Sequence, residues 1–214
     1  MNNSDILTLT QWLSPSYPVG AFSYSHGLET VISDASIVSS FDLEIWLCDL
    51  IAHGSGWNDL VLLSAAHRAE NAQDLKQVSD LSEALCISRE RLFETLSQGR
   101  AFIRTTNAVW GSTLADAPYP VAVGAAAAHK NIPLDVTSYL YLQSFVSNLI
   151  NTAVRLVPLG QTEGQACLSN LSEVIENTAK AAQKASLEDL GSSTFSLDIA
   201  SMNHEIQTTR IFQT

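Results

Sequence analysis

An all-α fold is predicted: one domain, a helical bundle of about eight to ten helices. Three observations predict it. Apolar residues recur at helical spacing in nearly every segment, and no run alternates convincingly as a strand does. Hydrophobic residues make up 46% of 214 residues, enough for a sizeable single core. No internal repeat or linker-like stretch divides the chain.

The elements follow in order. Ser4 is placed to cap a first helix carrying Ile6, Leu9 and Leu13, which ends before Pro15. A connector rich in Gly, Ser, Pro and aromatics follows, and a short helix spans Gly27 to Ser33. Ser39-x-x-Asp42 resembles a capping box and opens a helix with Leu43, Leu47, Leu50 and Ile51 on its face. After the Gly54-Ser55-Gly56 break come helices from about Asn58 to Glu70, Asp74 to Leu85 and Arg89 to Trp110. The last carries Arg89, Arg91, Arg100 and Arg104 interleaved with Glu90 and Glu94. That pattern reads as a solvated, ion-paired face, with a local docking patch as the alternative. Val121 to Ala128 is Ala-rich and short, a close-packed core helix. Leu134 to Val157 has Asp135 and Arg155 as its only charges and is expected to be buried on most sides. A further helix puts Leu171, Val174, Ile175, Thr178, Ala179 and Ala182 on one stripe. Residues 190–194 form a loop, and Leu197 to Glu205 the last short helix.

Composition excludes several classes. A net charge of −11 is ill suited to the phosphate backbone of nucleic acids or to anionic membranes. No apolar run approaches the roughly 18 residues of a membrane span. Cys48, Cys86 and Cys167 lie far apart, and no signal-like segment opens the chain, so a cytoplasmic setting is expected. Only 15% of residues are charged, which favours oligomers or stable complexes.

Catalytic and metal motifs are missing. The histidines at 26, 53, 67, 129 and 204 form no pair at helical spacing, and there is no HExxH, ExxH or CxxC. Neither GxxxxGK[ST], GxGxxG nor GxSxG occurs. Three unusual segments remain. In Pro18-Val19-Gly20-Ala21-Phe22-Ser23-Tyr24-Ser25-His26-Gly27-Leu28-Glu29, an extended backbone would throw Phe22, Tyr24 and His26 to one side, as a comb for a protein partner. The alternative is that Phe22 and Tyr24 plug the core. Glu29 can cap or pair within the following helix. In Arg155-Leu156-Val157-Pro158-Leu159-Gly160-Gln161, Arg155 suits a helix C-terminus, Pro158 stops the helix and Gly160 permits the turn. The tail from His204 to Thr214 ends in Arg210-Ile211-Phe212, which can order on a partner and bury Phe212. His26 and His204 could meet in space.

These three segments, in this order and spacing, resemble the UreF family of urease accessory proteins. The first is close to Pro-Val-Gly-(Gly/Ala)-Phe-Ser-Tyr-Ser-x-Gly-Leu-Glu, the second resembles the mid-chain motif, and Ser201-Met-Asn-His204-Glu205-x-Gln207 with Arg210 resembles the C-terminal one. Ala21, Thr208 and the Gln-Thr ending depart from the pattern and leave the tail less basic and less aromatic. The resemblance implies an all-α homodimeric maturation factor, not an enzyme. It implies binding to the accessory protein UreD or UreH, recruitment of the GTPase UreG, and delivery of nickel into apo-urease, with no stably bound cofactor or metal of its own. Partner-binding residues are then expected at Phe22, Tyr24, Glu29, Arg155, Gln161, His204, Glu205 and Arg210. Pro18, Gly20, Gly27, Pro158 and Gly160 are expected to shape the backbone. The tail from about 203 is expected to bind a partner, and its removal after Met202 to leave the body folded. The competing reading is an all-α enzyme, which requires a pocket where a histidine and a carboxylate converge.

Overall fold

A computed structural model describes residues 2–213, and among these the secondary structure is helical with no strand. The helices are α1 (Asn3–Trp12), α2 (Leu28–Ser33), α3 (Ser40–His53), α4 (Ser55–Arg68), α5 (Ala72–Ala84), α6 (Arg89–Trp110), α7 (Tyr119–His129), α8 (Leu134–Leu156), α9 (Gln161–Asn170), α10 (Ser172–Ala182) and α11 (Phe195–His204). Short 3-10 turns lie at Ala21–Ser23 and Leu187–Asp189.

Helix starts follow local chemistry. Ser39 caps α3 in a full capping box with Asp42, as its spacing predicts. The cap of α1 is Asn2, not Ser4: its side chain accepts from the Asp5 N–H while Asp5 accepts from the Asn2 N–H. The start moves two residues back because Asn2 and Asp5 satisfy two orphan donors together. Likewise Asn71 caps α5 by accepting from Gln73 and Asp74. After Gly54 the chain re-enters a helix at once, so Gly56 lies inside α4.

α4, α7 and α8 form the centre. α7 is buried from Pro120 through Val123 and again at Ala126 and Ala127, as an Ala-rich core helix should be. Its closest approach is to α4 at Gly124, where a Cβ would stand 2.3 Å from the Leu63 carbonyl oxygen. α8 buries Tyr141, Leu142, Val146, Leu149, Ile150 and Ala153. α10 packs against it; of the stripe read from the sequence, Leu171, Ile175, Thr178, Ala179 and Ala182 are buried and Val174 is partly buried. At the other side Trp12 meets Phe102 and Trp110 edge-on, with ring centroids 5.4 and 5.7 Å apart.

The arginine-rich face of α6 is only partly solvated. Arg89 is open to solvent, but the Arg91 side chain is only 14% exposed and holds Asp59 of α4 at 2.8 Å. Burial works against its charge, yet Asp59 and Glu94 outweigh burial and raise its pKa further.

Candidate functional site

The three unusual segments are brought together: the first bonds to the third and lines a pocket with the second. Its backbone makes this possible. Gly20 and Gly27 both adopt left-handed conformations, at φ +74° and +79°. At Gly27 there is a second constraint, because a Cβ would stand 2.7 Å from the Ser201 backbone nitrogen. α2 therefore lies directly on α11. His26 is also left-handed, at φ 54°, held there by a 2.7 Å contact to Glu94 and by an edge-on Phe145 ring 4.9 Å away.

This winding overturns the expected one-sided comb. Residues 21–23 form a 3-10 turn, so Phe22 points out, 59% exposed, while Tyr24 and His26 turn inward and are buried. Burial and the nearby Glu94 push the Tyr24 hydroxyl above its ordinary range. Tyr24 thus belongs to the interior.

Phe22 shares a pocket with the second segment. A pocket of about 150 Å³ is lined by Pro15, Phe22, Asn148, Thr152, Arg155 and Gln161, among others. Arg155 is exposed in the last turn of α8, and Gln161 is exposed at the start of α9. Pro158 and Pro18 are exposed in the turns between elements. Gly160 does not supply left-handed freedom: its φ is −74° and its ψ 155°, open to any residue. Its N–H donates to the Glu163 carboxylate at the start of α9.

Glu29 meets the third segment. It sits in the first turn of α2 but pairs across the fold, not within its own helix. Its carboxylate accepts from the backbone N–H groups of Ile211 (2.7 Å) and Phe212 (2.9 Å), and Oε2 contacts His204 Nε2 at 3.1 Å. His204 is fully buried, and its Nδ1 lies 2.7 Å from Glu90. A doubly protonated ring donates to both carboxylates; a neutral ring donates to one. Arg210 adds a charge to the far oxygen of Glu90. Glu205 accepts from the Arg89 N–H at 2.7 Å and from its guanidinium; burial opposes the charge, but these donors hold its carboxyl below the usual range. Gln213 donates to the Ser23 carbonyl at 2.8 Å, which closes the tail against the first segment.

The tail is therefore packed on its own chain, with Phe212 only 4% exposed. Phe212 is buried without a partner, against the expectation that a partner buries it. A cut after Met202 removes the buried His204 and Phe212, so the stability of the truncated body is a matter for unfolding measurements. The sequence placed these residues in motifs but missed Glu90, Glu94, Asp59 and Tyr141. The only available signal was the Glu interleaving on α6, which reads as surface pairing.

A histidine and carboxylates do converge, as an enzyme would require, at His26–Glu94–Arg91–Asp59, with the Tyr141 hydroxyl donating to Asp59 at 2.9 Å. The cavities bordering this cluster are about 70 and 30 Å³, room for a few waters and far below a ligand pocket. Cys86 lines the larger one, but burial pushes its thiol up to about 11, so little thiolate exists at neutral pH. Burial and Asp59 hold Tyr141 well above its ordinary value. Among the described residues no group of three or more His, Cys, Asp or Glu is placed to hold a metal ion, and no helix is long and apolar enough to cross a membrane.

Comparison with known proteins agrees with the three segments. A sequence profile described as UreF matches residues 37–172. A urease accessory protein UreF of Roseobacter denitrificans is 44% identical over all of this chain and 96% of its own length. That of Ruegeria pomeroyi is 46% identical over 98% of this chain and 96% of its own, and one from Cereibacter sphaeroides 47% over 98% of each. With the profile spanning most of the chain and relatives matching it end to end, the chain belongs to the UreF family of urease accessory proteins.

Proposed function

We propose that this chain is a non-catalytic scaffold for urease maturation. In this reading it acts in the cytoplasm as a homodimer, binds a UreD/UreH partner, and recruits the GTPase UreG. It couples that GTPase to nickel insertion into apo-urease, and the assembly handles the metal without stable binding by this chain. The observation that carries the reading is the division of the motif residues. Phe22, Arg155 and Gln161 converge outward on one pocket, available to a partner. Glu29, His204 and Arg210 work inward, fixing the tail beside that pocket through the bond from Gln213 to Ser23. An aromatic anchor beside an arginine is the chemistry of an interface centre.

The test is urease activity in cells lacking this chain, complemented with wild type, Phe22→Ala or Arg155→Ala, together with co-purification of the UreD/UreH partner. Wild type restores activity and co-purifies; the variants fold normally but lose both. Full activity in the uncomplemented cells without added nickel overturns the reading.

A further inference from the structure

We propose that a groove between α2, α3 and α11 is a docking site for a basic, amphipathic segment of a partner protein. The groove encloses about 530 Å³, and its apolar walls are Val31, Ile37, Ile45, Trp46, Leu197 and Ile199. Two helical stripes flank it. On α3, Phe41 and Ile45 are one turn apart and 68% and 50% exposed. On α11, Phe195, Ile199 and Met202 share a face and are 74%, 55% and 46% exposed. Large apolar side chains concentrated at helical spacing around a concavity are what a helix-in-groove interaction uses, and they are costly to leave in water. Trp46 adds an unmet need, since its buried indole N–H has no acceptor among the described residues.

The occupant follows from charge. Asp34, Asp42 and Asp49 line the groove. No Lys or Arg occurs in residues 1–67 or 185–209, the stretches that build all three helices. A second copy docked with this groove on the two-fold axis would set the patch against itself, aspartates facing aspartates. Complementarity instead selects apolar anchors flanked by Lys or Arg. An anionic lipid surface is repelled by the same rim. The groove shares no lining residue with the Phe22–Arg155–Gln161 pocket, although Asn203 of the third segment lies on its wall, so binding at the two places can be tested separately.

The experiment uses the full chain labelled with fluorotryptophan, with the Trp46 resonance assigned through Trp46→Phe. Two helical peptides serve as probes, one amphipathic and built of Leu and Lys, the other with every Lys replaced by Glu. The Lys peptide is expected to shift the Trp46 resonance saturably, with affinity that falls as salt rises. Phe195→Ser with Ile199→Ser, both at exposed positions that leave the fold intact, is expected to weaken it about tenfold or more. Asp34→Asn with Asp49→Asn is expected to flatten the salt dependence. An unmoved Trp46 signal, equal binding of the Glu peptide, or indifference to the serine pair overturns the proposal. So does sedimentation showing that the serine pair turns a dimer into a monomer, because the occupant is then a second copy.

Discussion

Two halves of one motif set behave oppositely. Phe22, Arg155 and Gln161 are exposed around one pocket. Glu29 and His204 are buried, and each is saturated with partners inside the chain. The difference teaches that a residue in a functional motif need not touch a partner. Under the proposed function, the inward half holds the tail in register and the outward half meets a partner as a fixed surface. Preorganisation of this kind lowers the entropy cost of binding.

The sharpest way to break this division is Glu29→Ala. It strips the acceptor from two backbone N–H groups and leaves His204 facing Glu90 alone, so a loss of about 3–5 kcal/mol is expected in urea unfolding. A loss under about 1 kcal/mol would move Glu29 to the outward half. Phe212→Ala comes next. Phe212 is buried on its own body, and the lost burial should cost about 2–3 kcal/mol. An unchanged midpoint would return the tail to the status of a free peptide.

Acid sharpens the comparison through Glu205. Its carboxyl is depressed in the folded state below its ordinary 4.5. Its contribution is therefore complete above that value and is lost as pH falls through the lower folded value. The melting temperature of the wild type should fall across that window, and the difference from Glu205→Gln should shrink towards zero at the acid end. A pH-independent difference would deny the Arg89 tie.

The smallest effect on stability, and the largest on function, is expected for Phe22→Ala and Arg155→Ala. Each should change unfolding free energy by no more than about 0.5 kcal/mol, since both are exposed. Each should weaken co-purification with the UreD/UreH partner by about thirtyfold, as for an interface anchor. Pull-down and urea unfolding on the same preparations separate the two quantities. A variant that loses binding only in proportion to stability would erase the division.

Much of this was legible beforehand, for identifiable reasons. The bounds of α6 and α8, the Ser39–Asp42 capping box and the α10 stripe all rest on interactions among residues a few positions apart. Helical periodicity and side-chain caps carry such information locally. The α1 cap was misplaced because two capping arrangements compete within three residues, and the one satisfying more donors wins. The comb of Phe22, Tyr24 and His26 failed for a related reason. Alternation means one face only on an extended backbone, and two left-handed glycines with a 3-10 turn between them rewound the segment.

By itself the sequence determined the helical class, the single domain's elements, the acidic surface and the family-like segments, because each depends on composition or short-range spacing. Only the tertiary structure decided that Glu29 clasps residues 204, 211 and 212, and that Phe22 stands with Arg155. It alone placed Arg91 inside, between Asp59 and Glu94. Those pairings join positions 32 to 183 residues apart or turn a helix face inward. Their partners are chosen by how helices pack, and no local spacing records that choice.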